Sequence, residues 1–189
     1  MTKVFKKNII VRDMGVVNMW DFLTKLGIAL IVLGFIAYLV SLIIKTKQRK
    51  DILLISEKIK SLLPESEVII ENLNYFYQIK AVKDEKTFFF KIVYSRENHE
   101  FIITNTNKWI VNDNPKQWTR KTQPIFIRGA QEFININEAE KKVVIVYPSS
   151  KRIIRYLNES DTVIVKPQDK FLNIHFLKFD DLEKIFKIQ

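Results

Sequence analysis

The sequence predicts an α/β protein, with one apolar transmembrane helix near the N-terminus followed by a mixed-sheet α/β domain. Three observations predict it. Leu26 to Ile44 is an unbroken run of nineteen uncharged residues between Lys25 and Lys45. The apolar spacing then changes, from helical over residues 51–63 to strand-like from Glu67 onward. Finally, apolar strand-like runs alternate with short helical patterns in the second half, the order that builds a sheet with helices packed on it.

Residues 1–19 mix basic and apolar side chains without a clear period and read as a tail. Translation from Met14 or Met19 instead of Met1 would shorten it. Residues 20–46 form the transmembrane helix. At about 1.5 Å per residue the uncharged run reaches roughly 28 Å, close to the ~30 Å of a hydrocarbon core. It shows no polar stripe, which argues against a buried core helix. It is also longer than the roughly 7–15 apolar residues of a cleaved signal and runs directly into KTKQRK. Trp20 and Phe22 stand where aromatic rings anchor at the lipid–water interface, and Lys45, Lys47, Arg49 and Lys50 mark the exit. Each basic residue there is worth about 1 kcal/mol against anionic lipid, so membrane lipid is an expected partner. With Lys58 and Lys60 they outnumber Arg12 and Lys25, the basic residues comparably near on the other side, where Lys3, Lys6 and Lys7 lie further out. This bias predicts a single-pass protein of the cell membrane with its C-terminal domain in the cytoplasm.

Residues 47–66 make a basic exit and a connecting helix, with Ile52, Ile55, Ile59 and Leu62 at helical spacing and Pro64 closing it. The helix either continues the membrane span or starts afresh at Asp51, a good N-cap residue. Residues 67–189 form the α/β domain. EVIIENL, YFYQIKAV, TFFFKIVYS and HEFIITNT read as strands, with hairpin turns at Lys83–Lys86 and at Arg96–Asn98. The third run is apolar nearly throughout, which predicts a strand covered on both faces. Residues 107–124 read as a loop holding Trp109 and Trp118, and residues 125–140 as a helix weakened by Gly129. KKVVIVYP is a buried strand, SSKRIIRYL a short helix capped by Ser149 or Ser150, TVIV and NIHFLKF strands, and DDLEKIF a terminal helix capped by Asp180.

Composition narrows the chemistry. The 189 residues carry a net charge of +10 and no cysteine, which excludes disulfides and thiolate metal sites. Residues 1–50 hold nine basic and two acidic residues, so most of the excess flanks the apolar run. Four scattered glycines exclude a phosphate-cradling glycine loop, and two histidines, His99 and His175, do not make a zinc site. No cofactor and no metal is predicted. Glu97, His99 and Glu100 lie together at a turn, where a solvated turn is the commoner outcome than a cation site. Metal-dependent phosphodiester cleavage needs converging carboxylates on adjacent strands. YFYQIKAV and TFFFKIVYS offer Lys80 and Lys91 instead.

The order of helix, hairpin strands, Trp-containing loop, Asn114-Pro115-x-Gln117, helix and Val-rich strand resembles the nuclease-related (NERD) domain of the PD-(D/E)XK, or restriction-endonuclease-like, fold. The resemblance spans roughly residues 53–186 and is carried by YFYQIKAV, TFFFKIVYS, KWIVNDNPKQ and KKVVIVYP. It implies an Asp after Gln78-Ile79 and a Glu-x-Lys on the next strand. Lys80 stands in the first place and Lys91-Ile92-Val93 in the second, so no catalytic residue carries over and an inactive relative is expected. Ammonium groups there repel a cation and invite phosphate. Lys80, Lys91, Lys116, Arg120, Lys121, Lys151, Arg152 and Arg155, with Arg128 nearby, are the candidate nucleic-acid contacts, and Trp109 and Trp118 the candidate stacking platforms. Two other functions stay open: a module that holds a protein partner at the membrane, and a nuclease that has relocated its carboxylates to Glu97, Glu100 or Asp84.

Overall fold

The computed structural model describes residues 16–105, 108–112, 125–137, 139–157 and 161–186. The chain divides into two compact units, Met1–Lys47 and Gln48–Gln189. The expected tail lies almost wholly outside the described residues.

Helix α1 (Val16–Leu62) begins in the first unit and ends in the second. It does not start afresh at Asp51. Within the first unit it is long and apolar enough to cross a membrane, and none of its most apolar stretch is buried. Leu30, Ile31 and Phe35 are 61%, 74% and 60% exposed. The polar side chains at its two ends are satisfied locally. Thr24 and Thr46 hydroxyls donate to the carbonyls of Trp20 and Leu42, four residues back, each at 2.8 Å. Lys25 pairs with Asp21 at 2.7 Å.

The second unit is built on two sheets. In chain order its strands are β1 (Glu67–Ile70), β2 (Ile79–Lys83), β3 (Lys86–Ser95), β4 (Glu100–Asn105), β5 (Lys108–Asn112) and β6 (Ile125–Phe126). Helix α2 (Ala130–Ile134) precedes β7 (Lys141–Pro148), β8 (Arg152–Tyr156), β9 (Thr162–Ile164), β10 (Lys170–Phe171) and β11 (Ile174–Lys178). A 3-10 turn (Phe179–Asp181) and α3 (Glu183–Phe186) end the described chain. One sheet has the order β1-β2-β3-β7-β11-β10, the other β6-β5-β4-β8-β9. Both are mixed: β3, β7 and β11 run parallel, as do β4 and β8, while the flanking pairs are antiparallel.

Strand β3 explains the layering. Its side chains alternate, as the pleat requires, and both sets are apolar except for Lys91 between Phe89 and Val93. Phe88, Phe90 and Ile92 face one core with Ile52, Ile55 and Ile59 of α1, Leu182 and Ile185. Phe89 and Val93 face a second core with Phe101, Ile103, Trp109 and Ile153 of the other sheet and Phe133 of α2. The expectation of a strand covered on both faces therefore holds, with helix on one side and a second sheet on the other.

Five expectations are corrected. The turn at Arg96–Asn98 does close, His99 N–H donating to Arg96 O at 2.9 Å, yet β4 does not pair with β3. Both edges of β3 are taken, by β2 and β7, so the chain bends into the second sheet. Residues 152–156 are strand β8, not helix, because β7 makes the same crossing next to β3. The two bends are tied by Lys151 N–H donating to His99 O at 2.7 Å. The helix expected over 125–140 shrinks to α2, since Gly129 at φ 67 breaks it and Ile125–Phe126 pairs with β5. The expected loop 107–124 contains β5, and the strand expected at YFYQIKAV starts only at Ile79.

Candidate functional site

The site is built around Lys91, whose position follows from the loop before β2. Tyr75 N–H donates to Asn72 O at 2.9 Å, turning the chain. The buried Gln78 then takes the place of missing strand pairing. Its Nε2 donates to Tyr75 O at 2.8 Å and its Oε1 accepts Ile92 N–H at 2.8 Å. This latch brings the Phe76 carbonyl over β3, where Lys91 Nζ donates to it at 2.8 Å. Lys91 is only 3% exposed. Burial lowers its pKa from 10.5 to about 8, opposed by the Glu132 carboxylate.

Gly129 closes the arrangement. A Cβ there would lie 3.0 Å from Phe76 Cβ, 3.1 Å from Phe76 Cα and 3.4 Å from Lys91 Nζ, and φ is +67°. Only glycine lets the chain pass so close to Phe76 and turn into α2. Beside this point opens a cavity of about 600 Å3, with Gln48, Tyr75, Gln78, Lys91, Phe126 and Arg128 among its walls. Tyr94, also in the wall, donates its hydroxyl to Gln48 O at 3.1 Å. Its pKa is raised, first by burial and then by Asp51 and Tyr147.

The other candidate contacts are dispersed. Lys80 shares the inner face of the sheet with Lys91, but it is half-buried with Nζ 5.9 Å from the Phe89 ring centroid. Lys151 is exposed and its carbonyl accepts a bond from Lys178 Nζ at 3.2 Å. Arg152 is ion-paired with the buried Glu100. Arg155 lays its guanidinium 3.8 Å over the Phe171 ring, on the inner side of the second sheet. Trp109 is fully buried in the core, so it offers no face for stacking. Lys116, Arg120, Lys121 and Trp118 lie outside the described residues. Trp20 and Phe22 are 66% and 64% exposed on α1, and Lys45, Lys47, Arg49 and Lys50 are exposed on the same helix.

The acidic candidates do not converge. Glu97 is exposed, Glu100 is held by Arg152, and Asp84 sits in the β2–β3 turn at φ 48. Among the described residues no group of three metal-ligating side chains comes together.

Sequence reasoning missed Lys142, a second buried lysine, 5% exposed. Its Nζ donates to Ile134 O at 2.6 Å and Ile136 O at 3.1 Å, capping the carbonyl end of α2. Period-two counting along KKVVIVYP would have found it, since Lys142 shares a face with Val144 and Val146. Comparison of the chain with protein-family models, curated proteins and solved structures finds no match.

Proposed function

We propose that this chain is a single-pass membrane protein whose unit Gln48–Gln189 is a non-catalytic binding module on the cytoplasmic side. The observation that carries this reading is the use made of Lys91. Lys91 is a buried ammonium bonded to a backbone carbonyl, and under the proposed resemblance to a nuclease-related domain it stands in the place of a metal-binding carboxylate. A cation beside that group is repelled, and no acidic cluster among the described residues replaces it. The anchoring half rests on an apolar helical stretch that is not buried, followed by Lys45, Lys47, Arg49 and Lys50.

Recognition of a partner protein is favoured by one further feature. The outer face of the second sheet carries a row of apolar residues in register, Phe126, Ile110, Ile102, Ile154 and Ile164, of which the two end residues are 57% and 60% exposed while Ile102 and Ile154 at its centre are buried. A nucleic-acid groove has weaker support, because Arg152 and Arg155 already have protein partners and Lys91 is buried.

The test has two parts. The full chain should stay with membranes through alkaline carbonate extraction. In neutral detergent it should leave DNA and RNA intact with Mg2+ or Mn2+. Release by carbonate overturns the anchor, and sustained cleavage abolished by Glu97→Gln or Glu100→Gln overturns the absence of catalysis.

A further inference from the structure

We propose that the cavity between Lys91 and Arg128 is a binding site for a phosphate-bearing ligand with an apolar body. The inference rests on the reading of this unit as a binding module and adds to it the chemistry of what is bound. The cavity, about 600 Å3, is within the range of sites for small molecules. Among the described residues its walls carry two cations, Lys91 and Arg128, and no carboxylate. Lys91 is 97% buried by the complement of its 3% exposure, and of its three N–H donors one is bonded to Phe76 O. A buried ammonium with a carbonyl and no bonded carboxylate is under-compensated, and an anion is the group that completes it. Glu132 acts on it through space, with no ion pair between them among the described residues.

The two cations differ in a useful way. Lys91 is a compact charge at a fixed, buried point, while Arg128 is exposed and presents a planar fork from the rim. Together they match the charge of roughly −1.5 to −2 on a phosphate monoester near neutral pH. The remaining walls suit an apolar body: Leu73, Ile127 and Phe126, the last 57% exposed. In the sequence, Gln48 of the same wall stands four positions after Ile44, the last residue of the uncharged run. A phospholipid headgroup and a free phosphate are the two sources of this chemistry.

Calorimetric titration of the full chain in neutral detergent micelles distinguishes them, with inorganic phosphate and short-chain phosphatidic acid as the two probes. The expected result is saturable binding of phosphatidic acid that weakens about tenfold or more in Arg128→Gln and in Lys91→Met, as loss of a charge-assisted bond predicts. Arg128→Gln changes an exposed side chain, so it keeps the test valid if Lys91→Met fails to fold. Competition by inorganic phosphate assigns the affinity to the phosphate group itself. Competition much weaker than the affinity for phosphatidic acid assigns the ligand to the lipid, whereas binding of inorganic phosphate with none of phosphatidic acid overturns the apolar body. The proposal is overturned if neither probe binds, or if binding is unchanged in Arg128→Gln. Carbonate extraction of the same protein separates the two readings. A membrane-resident chain with a silent cavity removes only this inference, whereas a released chain that still binds phosphate removes only the anchor.

Discussion

Lys91 carries a charge where the surroundings disfavour one, and that has a measurable pH signature. Burial lowers its pKa from 10.5 to about 8. Between about pH 8 and about pH 10.5 the unfolded chain therefore holds a proton that the folded chain has released. Stability rises with pH across that window, by about 1.4 kcal/mol per unit, and is flat below it where both states are protonated. Lys142, also shifted down by burial, adds to the same trend. Tyr94 and Tyr147 act in the opposite sense, since burial raises both and the unfolded chain loses their protons first above about pH 10. His175 is lowered by burial and lies below the window altogether. The urea midpoint of the full chain in neutral detergent should thus increase from about pH 8 to about pH 9.5, and increase distinctly less in Lys91→Met. An identical slope in the two proteins would show that Lys91 is not the group titrating.

At the scale of elements, α2 depends on what happens one residue before it. Gly129→Ala puts a Cβ 3.0 Å from Phe76 and asks alanine to hold φ +67. The expected loss is about 1–3 kcal/mol, read as a lower urea midpoint, with faster hydrogen exchange at the Phe133 amide that bonds to Gly129 O. Unchanged exchange there would mean that α2 is placed by Phe133 in the core alone. The same residues show what the sequence made legible. Strands β3 and β7 were readable because their apolar runs are long enough to fill two cores. Gly129 was visible as a weak point, but not as the residue that limits the helix, because the contact with Phe76 is 53 positions distant in the chain. Strand β8 was misread because Ile153 and Ile154 are both buried while Arg155 turns inward onto Phe171, which erases the alternation that marks a strand. The turn after β3 was local and correctly placed; which sheet receives the next strand depends on β7 occupying the edge of β3, and no local pattern encodes that. The candidate site was legible in its central lysine and illegible in its cavity. Lys91 interrupts an apolar run, whereas Gln78, Phe76 and Arg128 meet it only through the fold.

For the whole molecule, the distribution of charge leads to a prediction about which side of the membrane the second unit occupies. Nine of the first 50 residues are basic, and Lys45, Lys47, Arg49 and Lys50 follow the apolar run directly. Retention of such a cluster on the cytoplasmic side would put Gln48–Gln189 there as well. The sequence contains no cysteine, so a single introduced one reports its side without background. Leu157, 55% exposed beyond the end of β8, is a suitable place, since Leu157→Cys removes little burial. A membrane-impermeant maleimide should label this variant only after cells are permeabilised. Changing Lys45, Lys47, Arg49 and Lys50 together to Gln removes the retaining charge while leaving the apolar run untouched, and a fraction of the chains should then be labelled in intact cells. Labelling of the parent variant in intact cells would place the unit outside. Lys91 and the rest of the cavity would then meet extracellular ligands, and the anionic inner leaflet would no longer be the source of phosphate within reach.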